Sequence, residues 1–488
     1  MPQVDLQNRM VTVEVGAFLS SLLTDTPHPC GGKGVCGKCK VRVQGAVSPL
    51  SAVEQRHLTP AEIDAGIRLS CQTTVQGNCR VERLDTAPII VLTAEEGMPI
   101  SWHPGFFRYG VAVDIGTTTL AARLYAHDGT LLAEKGAPNP QAAYGADVLT
   151  RVEVALKGQA TALTTAIRGG LSTLLTDLTA LAGVPTNGVD GLVITGNTVM
   201  LTLLVGGDVT PFATAPFIGH NRFGYTIPGS QIGLADCPDA AVYLSPCISA
   251  FIGGDTATAL GAVDLPENGL LLDIGTNGEM VLRANGTFYA CSTAAGPAFE
   301  GVGISCGMVA SPGAIHRVEL VNSVLYPHVL GDGTATGICG SGLVDALACL
   351  SLLEDLTGPV SLAPGVTLTT EDIQSLLVSK SAIRAGVDTL LHTAGITPAD
   401  VTHLVIAGGF GSYLNIPNGV RIGLLPPVAT QCIRAVGNAA LSGAARLLLD
   451  TTLRDSLAHL TATIQTVDLA QNPYFAQRFM ENMTLEVP

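Results

Sequence analysis

The chain has 488 residues, a length that allows two to four domains. Its formal net charge of −15, from 25 Lys and Arg against 40 Asp and Glu, argues against a nucleic-acid or anionic-membrane partner, because both require clustered positive charge. Hydrophobic residues make up 47% of the chain, but no stretch reaches the roughly 20 apolar residues of a membrane helix, and residues 1–10 lack the basic and apolar regions of a signal peptide. We therefore expect a cytoplasmic α/β protein.

The first cysteines in the chain have a spacing typical of a metal centre. Cys30, Cys36 and Cys39 follow the pattern Cys-x5-Cys-x2-Cys, and Cys71 comes later, after a short predicted helix that ends at Gly66. Glycines between the first three cysteines allow the loop to wrap tightly, so that backbone N–H groups point at sulfur atoms. A structural zinc site usually has two Cys-x2-Cys pairs, and this segment has one. The pattern favours an iron–sulfur cluster, with zinc or unliganded thiols as alternatives.

This segment resembles a plant-type or adrenodoxin-type [2Fe-2S] ferredoxin over about residues 1–85. Its first gap of five residues departs from the plant-type gap of four and matches adrenodoxin-like members. The resemblance implies an α+β ferredoxin-like (β-grasp) domain, while Cys79 lies beyond the pattern and is predicted to be structural. Residues 86–108 contain several prolines and no useful periodicity, so we predict a linker, either mobile or packed as a strap. The implied cluster ligands are Cys30, Cys36, Cys39 and Cys71.

The rest of the chain contains an internal repeat. An apolar strand ends in Asp-Ile-Gly-Thr at 114–117 and is followed by an alternating run with a turn at 128–129. The same pattern recurs at 273–276, with its turn at 285–286. We therefore predict two related halves, 109–267 and 268–488.

The repeated motif has the chemistry of a phosphate site. Its glycine removes the side chain where a phosphate would approach the backbone, and its hydroxyl and N–H groups can donate to phosphate oxygens. The two aspartates, Asp114 and Asp273, suit a Mg²⁺ site, with waters between. A buried strand at 403–407 then runs into a glycine-rich loop that would let a purine and its ribose lie against backbone. The predicted nucleotide-binding residues are Gly116, Thr117, Thr118, Thr119, Gly275, Thr276, Asn277, Gly408, Gly409 and Phe410.

Together these motifs resemble the ASKHA superfamily (acetate and sugar kinases, Hsp70, actin) over about residues 109–465. The resemblance implies an α/β domain of two ribonuclease-H-like halves with ATP in the cleft between them. Segments 195–198 and 437–443 look like the starts of the connecting helices near the hinge. Asp255 follows an apolar strand and two glycines, so we predict that it orients the attacking water or holds Mg²⁺, with a helix N-cap as the alternative.

A [2Fe-2S] ferredoxin module fused to an ASKHA ATPase resembles the reductive activators of corrinoid proteins. The match includes the segments 139–141 and 145–147 and the Ser-Thr-Ala-Ala-Gly-Pro-Ala-Phe-Glu-Gly loop from 292. It implies ATP-dependent transfer of one electron, taken from an upstream low-potential donor, that reduces Co(II) to Co(I) in a corrinoid protein that serves methyltransfer. We expect the polar loop 292–305 to face the corrinoid, through Ser292, Thr293 or Ser305, with a tight structural turn as the alternative.

Two other functions fit the same motifs. The chain could be an ASKHA small-molecule kinase whose cluster senses redox state, with Asp255 as the base, or a non-enzymatic electron carrier on an actin-like scaffold. Larger members of the activator family carry a middle domain associated with dimerisation between the two parts. Only the linker 86–108 stands there in this chain, which disfavours a homodimer without excluding one.

Overall fold

The structure is a computed structural model. It describes residues 1–84 and 101–485, apart from residues 8, 24–27, 29, 216, 218, 220, 332 and 354–357. Most of the predicted linker therefore lies outside the described residues. Its end is packed on the main body, because the Ser101 N–H donates to an Asp450 carboxylate oxygen at 2.9 Å and Phe106 is buried. Among the helices of the described residues, none has both the length and the apolar character needed to cross a bilayer.

The N-terminal module is a five-stranded mixed sheet with two short helices, as expected for a β-grasp ferredoxin. The sheet has the order β2-β1-β5-β3-β4. The first and last strands of the module, β1 and β5, pair in parallel, which places Val4 beside Cys79. Cys79 is buried in the apolar core of this sheet, in line with a structural role. The elements are β1 (Gln3–Leu6), β2 (Arg9–Thr12), β3 (Lys40–Val47), α1 (Ala52–His57), α2 (Pro60–Asp64), β4 (Ile67–Leu69) and β5 (Val75–Arg83).

The next part of the chain forms a six-stranded sheet of order β10-β11-β9-β6-β7-β8. Its first three strands form an antiparallel meander, and β9 and β11 then add in parallel on the other side of β6. The elements are β6 (Tyr109–Ile115), β7 (Thr119–Ala126), β8 (Leu131–Pro138), α3 (Val148–Val154), α4 (Ala160–Ala182), β9 (Val189–Gly196), α5 (Thr198–Val205), β10 (Tyr225–Pro228), β11 (Ala241–Leu244) and α6 (Gly254–Ala262).

The remaining residues repeat that arrangement in a second six-stranded sheet of order β21-β20-β12-β13-β14-β22. A two-residue turn joins β13 to β14, with Asn285 and Gly286 at φ values of 54° and 72°, as the Asn-Gly pair predicts. The elements are β12 (Gly269–Ile274), β13 (Gly278–Ala284), β14 (Thr287–Thr293), β15 (Ala314–Val321), β16 (Val324–Val329), β17 (Gly337–Ile338), α7 (Gly340–Leu350), β18 (Val360–Ala363), β19 (Val366–Leu368), α8 (Thr370–Ala394), β20 (His403–Ala407), α9 (Ile416–Arg421), β21 (Ile433–Ala435), α10 (Ala439–Leu449), α11 (Leu453–Thr463), β22 (Gln465–Thr466) and α12 (Pro473–Glu481).

The two sheets are joined where helices α6 and α10 cross. A Cβ on Gly443 of α10 would lie only 1.9 Å from the Thr258 carbonyl oxygen of α6, so the crossing requires glycine at this position. The prediction that 437–443 begins a hinge helix is confirmed, since Asn438 caps α10. The segment 195–198 also starts a helix, capped by Asn197, and Thr195 contacts Thr258 of α6, but that helix is not the one that crosses. That segment begins α5, an almost wholly apolar helix that is buried in the core of the first half, whereas α6 has the small residues that a close crossing needs.

Candidate functional site

The four cysteines of the predicted cluster site lie together at one end of the N-terminal sheet. The Sγ atoms of Cys39 and Cys71 are 3.3 Å apart, and the Cys30 thiol accepts a hydrogen bond from Cys36. No three metal-binding side chains within the described residues converge on a single ion position. Two separate thiol pairs fit a two-iron cluster, which needs two thiolates on each iron, better than one tetrahedral zinc ion.

The loop that presents these thiols depends on glycine. Gly31, Gly32, Gly34 and Gly37 all have positive φ, and a Cβ on Gly34 would lie 2.8 Å from the Gln72 side-chain nitrogen. The pKa of the Cys30 thiol is lowered to about 4, first by the hydrogen bond from Cys36 and then by backbone N–H groups of 34–36, although burial acts in the opposite direction. The loop thus points N–H groups at a sulfur, as predicted, and stabilises its thiolate form.

A buried carboxylate holds the turn that carries Cys71. Glu54 is fully buried, accepts two hydrogen bonds from the Arg68 guanidinium at 2.9 and 3.0 Å, and also accepts from the Leu69 N–H and the Thr73 hydroxyl. Burial acts to raise its pKa, but these hydrogen bonds outweigh that effect and hold the pKa at about 2. An ionised, fully hydrogen-bonded carboxylate therefore fixes the turn that presents Cys71 to the cluster site.

The two Asp-Ile-Gly-Thr motifs form matching hairpins at the heads of the two sheets. The Gly116 N–H donates to the Thr119 carbonyl at 3.0 Å, and the Gly275 N–H donates to the Asn277 carbonyl at the same distance. A Cβ on Gly116 would lie 2.7 Å from the Thr119 carbonyl oxygen. The Asn139 side-chain amide donates to the Gly116 carbonyl at 2.8 Å, so the segment that follows β8 stabilises this hairpin.

Carboxylates from both halves meet in the cleft between these hairpins. Burial, followed by mutual repulsion with Asp255 and Asp273, raises the pKa of Asp114 to about 7. Burial and the charges of Asp255 and Glu300 likewise raise the pKa of Asp273 to about 7, and burial raises that of Asp255 to about 6. The pKa of Glu279 is raised for the same reasons. A divalent cation would relieve this repulsion, which makes the cleft a fit for Mg²⁺.

Asp255 lies in the first turn of α6 and is not its cap. Gly253 occupies the N-cap position, without a side-chain cap. The Asp255 carboxylate accepts from the Thr256 N–H at 2.7 Å and interacts electrostatically with the carboxylates of both hairpins. This placement favours the cleft role over the capping alternative.

The predicted nucleoside loop lies beside Asp273. Gly408 has a φ of 89°, and a Cβ there would lie 2.8 Å from an Asp273 carboxylate oxygen. Gly409 is exposed next to it. The Phe410 ring packs 5.3 Å from the Phe299 ring and beneath Gly340, so its contacts in this structure are with the protein.

The three residues predicted to face the corrinoid lie in different settings. Ser292 pairs with Glu279 across β13 and β14, which places it on the sheet face of the carboxylates. Thr293 is buried. The Ser305 hydroxyl and N–H both donate to Asp372 at the start of α8, and Ser305 is exposed.

The cluster loop contacts both halves of the main body. The Lys38 ammonium, between two cluster cysteines in sequence, donates to the Gly307 carbonyl of the second half. A Cβ on Gly31 would lie 3.5 Å from the Tyr144 carbonyl oxygen of the first half. The thiol site is thus seated against the same body that forms the carboxylate cleft.

Comparisons with known proteins match every described part of this architecture. A family model described as a 2Fe-2S iron-sulfur cluster binding domain matches residues 6–76, one described as the RACo middle region matches 109–268, and one described as the C-terminal domain of RACo, the ASKHA domain, matches 267–358 and 357–487. A solved structure titled reductive activator for corrinoid, iron-sulfur protein is 26% identical with a TM-score of 0.71 and covers 99% of this chain and 98% of its own.

Two curated relatives agree with that structure. The corrinoid activation enzyme RamQ of Eubacterium limosum is 30% identical over 414 residues, which are 77% of this chain and 70% of the relative. The [Co(II) methylated amine-specific corrinoid protein] reductase of Methanosarcina barkeri is 29% identical over 57% of this chain and 58% of the relative. The chain belongs to the family of reductive activators of corrinoid proteins.

Within this family, residues 109–268 match the model of a middle region, although the motifs of the sequence point to the first half of an ASKHA domain. The expectation that only the linker 86–108 stands where larger members carry a middle domain is therefore wrong, and it gives no reason to disfavour a homodimer. The structure shows why both descriptions apply to the same residues. Five strands of the first sheet, β11-β9-β6-β7-β8, have the order of β21-β20-β12-β13-β14 in the second sheet, which matches the ASKHA model, and both sheets carry the Asp-Ile-Gly-Thr hairpin. The predicted ASKHA fold of two ribonuclease-H-like halves is therefore confirmed.

Sequence reasoning missed several polar residues of this family member's site. Glu279 had a usable signal, since it is the lone carboxylate of β13, directly after the second motif. Glu300 lies within the Ser-Thr-Ala-Ala-Gly-Pro-Ala-Phe-Glu-Gly loop, but the loop does not indicate which residue points into the cleft. Arg151 is fully buried and donates to the Thr117 carbonyl, a contact that no local pattern predicts.

Proposed function

We propose that this chain activates a corrinoid protein reductively, using ATP to drive the one-electron reduction of Co(II) to Co(I). One observation carries the proposal: in a single chain, a four-thiol cluster site is seated against the body whose two ribonuclease-H-like halves form a carboxylate-lined cleft. The relatives from E. limosum and M. barkeri are named for corrinoid activation and for reduction of a Co(II) corrinoid protein.

The N-terminal module provides the electron-transfer site. Bound by Cys30, Cys36, Cys39 and Cys71, a [2Fe-2S] cluster supplies the single electron that the reduction needs. The glycine loop directs N–H groups at the Cys30 sulfur, and Gln72 contacts the Cys71 sulfur at 3.5 Å, so the chain itself tunes the thiolates. We propose that residues 1–85 form this module and residues 86–108 its link to the two halves 109–267 and 268–488.

The cleft provides the nucleotide site. We assign the phosphates to the backbone and hydroxyl groups of the two hairpins and the nucleoside to the partly buried Gly408 and the exposed Gly409. The hairpin residues concerned are Gly116, Thr117, Thr118, Thr119, Gly275, Thr276 and Asn277. Phe410 supports this surface by packing on Phe299 rather than by contacting the base.

Asp114, Asp255 and Asp273 are the catalytic carboxylates of this proposal. Asp114 and Asp273, from opposite halves, would hold a Mg²⁺ ion that neutralises phosphate charge. The Asn438 side chain donates to Asp114 at 2.9 Å and keeps that carboxylate oriented. Asp255, in the first turn of the hinge helix α6, orients the attacking water.

ATP is needed because the electron must move uphill. Plant-type clusters have potentials near about −400 mV, and each further 100 mV costs roughly 2.3 kcal/mol per electron. A nucleotide can supply this only through different affinities for two conformations. The cleft lies between two halves whose helices α6 and α10 cross at a position that requires glycine. This crossing gives the chain a hinge about which two conformations can differ.

We propose that loop 292–305 faces the corrinoid protein, with the exposed Ser305 better placed to reach it than the buried Thr293 or the cleft-facing Ser292. An upstream low-potential donor in a reducing cytoplasm would reload the cluster. We propose no nucleic-acid or membrane partner for this function, and the middle-region match at 109–268 leaves a homodimer open.

The decisive experiment measures reduction of a Co(II) corrinoid protein by the dithionite-reduced, cluster-loaded chain, with and without MgATP. We expect Co(I) to accumulate only with MgATP, and Asp273→Ala to remove the effect of MgATP while preserving the cluster spectrum. Equal reduction in both conditions would refute the coupling. ATP-dependent phosphorylation of a sugar or acid, without Co(I), would favour the redox-sensing kinase instead.

A further inference from the structure

Glu300 places one carboxylate across both phosphate-loop hairpins. Its Oε2 accepts a hydrogen bond from the Thr118 hydroxyl at 2.9 Å, and its Oε1 accepts one from the Thr276 hydroxyl at 3.1 Å. Thr118 belongs to the first half and Thr276 to the second. The side chain therefore bridges the two halves at the position where the repeated motifs meet.

These hydroxyls are the donors that the two motifs would offer to a nucleotide. A carboxylate and a phosphate are both anions that accept charge-assisted hydrogen bonds from the same donors. The Glu300 carboxylate and a phosphate chain cannot both occupy the donors at once. A nucleotide that binds both hairpins must therefore displace Glu300 or leave its own oxygens poorly paired.

The segment that follows Glu300 leads directly to the cluster loop. Gly301 and Gly307 are in such close contact that a Cβ on Gly307 would lie 2.3 Å from the Gly301 carbonyl oxygen. The Gly307 carbonyl in turn accepts the hydrogen bond from Lys38, which lies between Cys36 and Cys39 in sequence. A displacement at residue 300 thus reaches the thiol site through tight backbone contacts and one charged hydrogen bond.

We propose that Glu300 couples nucleotide binding to the seating of the cluster loop: nucleotide phosphates compete with its carboxylate for Thr118 and Thr276, and its release shifts segment 301–307, on which Lys38 rests. The inference rests on the proposed function only in that the cleft binds a nucleotide. It assigns Glu300 as a positioning residue.

The first test is the affinity of the full-length, cluster-loaded chain for MgADP, measured by calorimetry with Glu300→Gln. The amide keeps the shape but loses the charge, so the competitor is weakened and we expect MgADP to bind about tenfold more tightly. Glu371→Gln, an exposed residue at the start of α8, is the matched control and should leave the affinity unchanged. Unchanged or weaker binding by Glu300→Gln overturns the competition.

The second test is hydrogen exchange of segments 301–307 and 30–40 with and without MgADP. In the wild-type chain we expect MgADP to change exchange in both segments. In Glu300→Gln the nucleotide-free chain should already show the changed pattern, and MgADP should add little. Exchange that changes in neither wild-type segment, or in 301–307 alone, overturns the coupling.

These measurements need no corrinoid protein, so the two ideas fail separately. If nucleotide competes with the Glu300 carboxylate but Co(II) reduction does not depend on MgATP, the proposed function is refuted and the inference holds. If Co(II) reduction depends on MgATP but Glu300→Gln leaves the nucleotide affinity unchanged, the inference is refuted and the proposed function holds. A chain that binds no adenine nucleotide in either form would remove both.

Discussion

Glu54 and Asp273 are both carboxylates held away from most of the solvent, yet their pKa values move in opposite directions. Glu54 receives hydrogen bonds from a guanidinium, a backbone N–H and a hydroxyl, which hold its pKa at about 2. Asp273 faces other carboxylates, and burial with their charges raises its pKa to about 7. A carboxylate whose charge is met by hydrogen-bond donors stabilises the fold. Carboxylates that repel one another instead favour the binding of a cation between them.

Glu54→Gln should destabilise the N-terminal module by about 3 kcal/mol, because it leaves Arg68 buried without its anion. In the wild-type chain the folded pKa lies below the ordinary value. The contribution of Glu54 is therefore complete above pH 4.5 and disappears as the pH falls toward 2. Urea denaturation followed by cluster absorbance measures the loss.

The control is Glu62→Gln, which removes an ion pair with Lys40 in which both side chains are 30% exposed. It should cost about 1 kcal/mol or less. Equal losses for the two variants would show that the Glu54 network does not carry the cluster site.

The carboxylates of the cleft predict the opposite dependence on pH. Asp114, Asp255 and Asp273 retain protons in the folded chain at pH values where the unfolded chain has lost them, so without metal the stability should fall as the pH rises from about 4 to about 7. Millimolar Mg²⁺ should restore it at pH 8. Thermal unfolding at about pH 5.5 and 8, with and without Mg²⁺, checks this. Asp273→Asn should flatten the pH dependence, and a wild-type chain unaffected by Mg²⁺ at pH 8 would contradict the cation site.

At the scale of elements, helices α6 and α10 form a close contact between the two halves. It consists of small residues, and Gly443 lies where a side chain would meet the Thr258 carbonyl oxygen. Helix crossings this close transmit displacement because the packed interior does not deform smoothly. The hinge is therefore expected to be stiff and specific rather than loosely mobile.

Gly443→Ala should force the two helices apart and lower the free energy of unfolding by about 1–3 kcal/mol, despite the better helix propensity of alanine. Gly261→Ala in α6 is the matched control, since its Cβ would lie 3.5 Å from a Leu457 methyl carbon, an ordinary contact. That variant should be neutral or slightly stabilising. Chemical denaturation of both variants gives the comparison, and a neutral Gly443→Ala would show that the crossing is looser than the structure indicates.

At the scale of the whole molecule, the cluster loop is docked against the body by few polar contacts, among them that of Lys38 with Gly307. Lys38→Glu would place a carboxylate against that carbonyl and near Asp372, so the module should undock. We expect a larger radius of gyration by small-angle scattering. Lys40→Glu reverses a charge that pairs within the module and should leave the radius unchanged. Equal radii for the wild type and Lys38→Glu would contradict this docking.

Much of this molecule follows from local sequence. The cysteine spacing, the glycine loop and the repeated Asp-Ile-Gly-Thr motif predict the ferredoxin module and the two related halves, because turn chemistry and strand periodicity are written in neighbouring residues. The start of α10 and the Asn285–Gly286 turn are confirmed for the same reason. The helix start at 195–198 is also present, but its helix, α5, is not the crossing one, because a helix start looks alike wherever the helix packs.

Only the tertiary structure decided which polar residues meet. Glu279 faces buried carboxylates, Glu300 bridges both hairpins and Lys38 donates to Gly307. These partners come from segments far away in the chain, so no local pattern indicates them. The amino-acid sequence by itself determined the two modules and their chemistry, since each motif folds from adjacent residues. How the modules touch was decided by packing, because burial and electrostatic repulsion depend on every element that surrounds a charge.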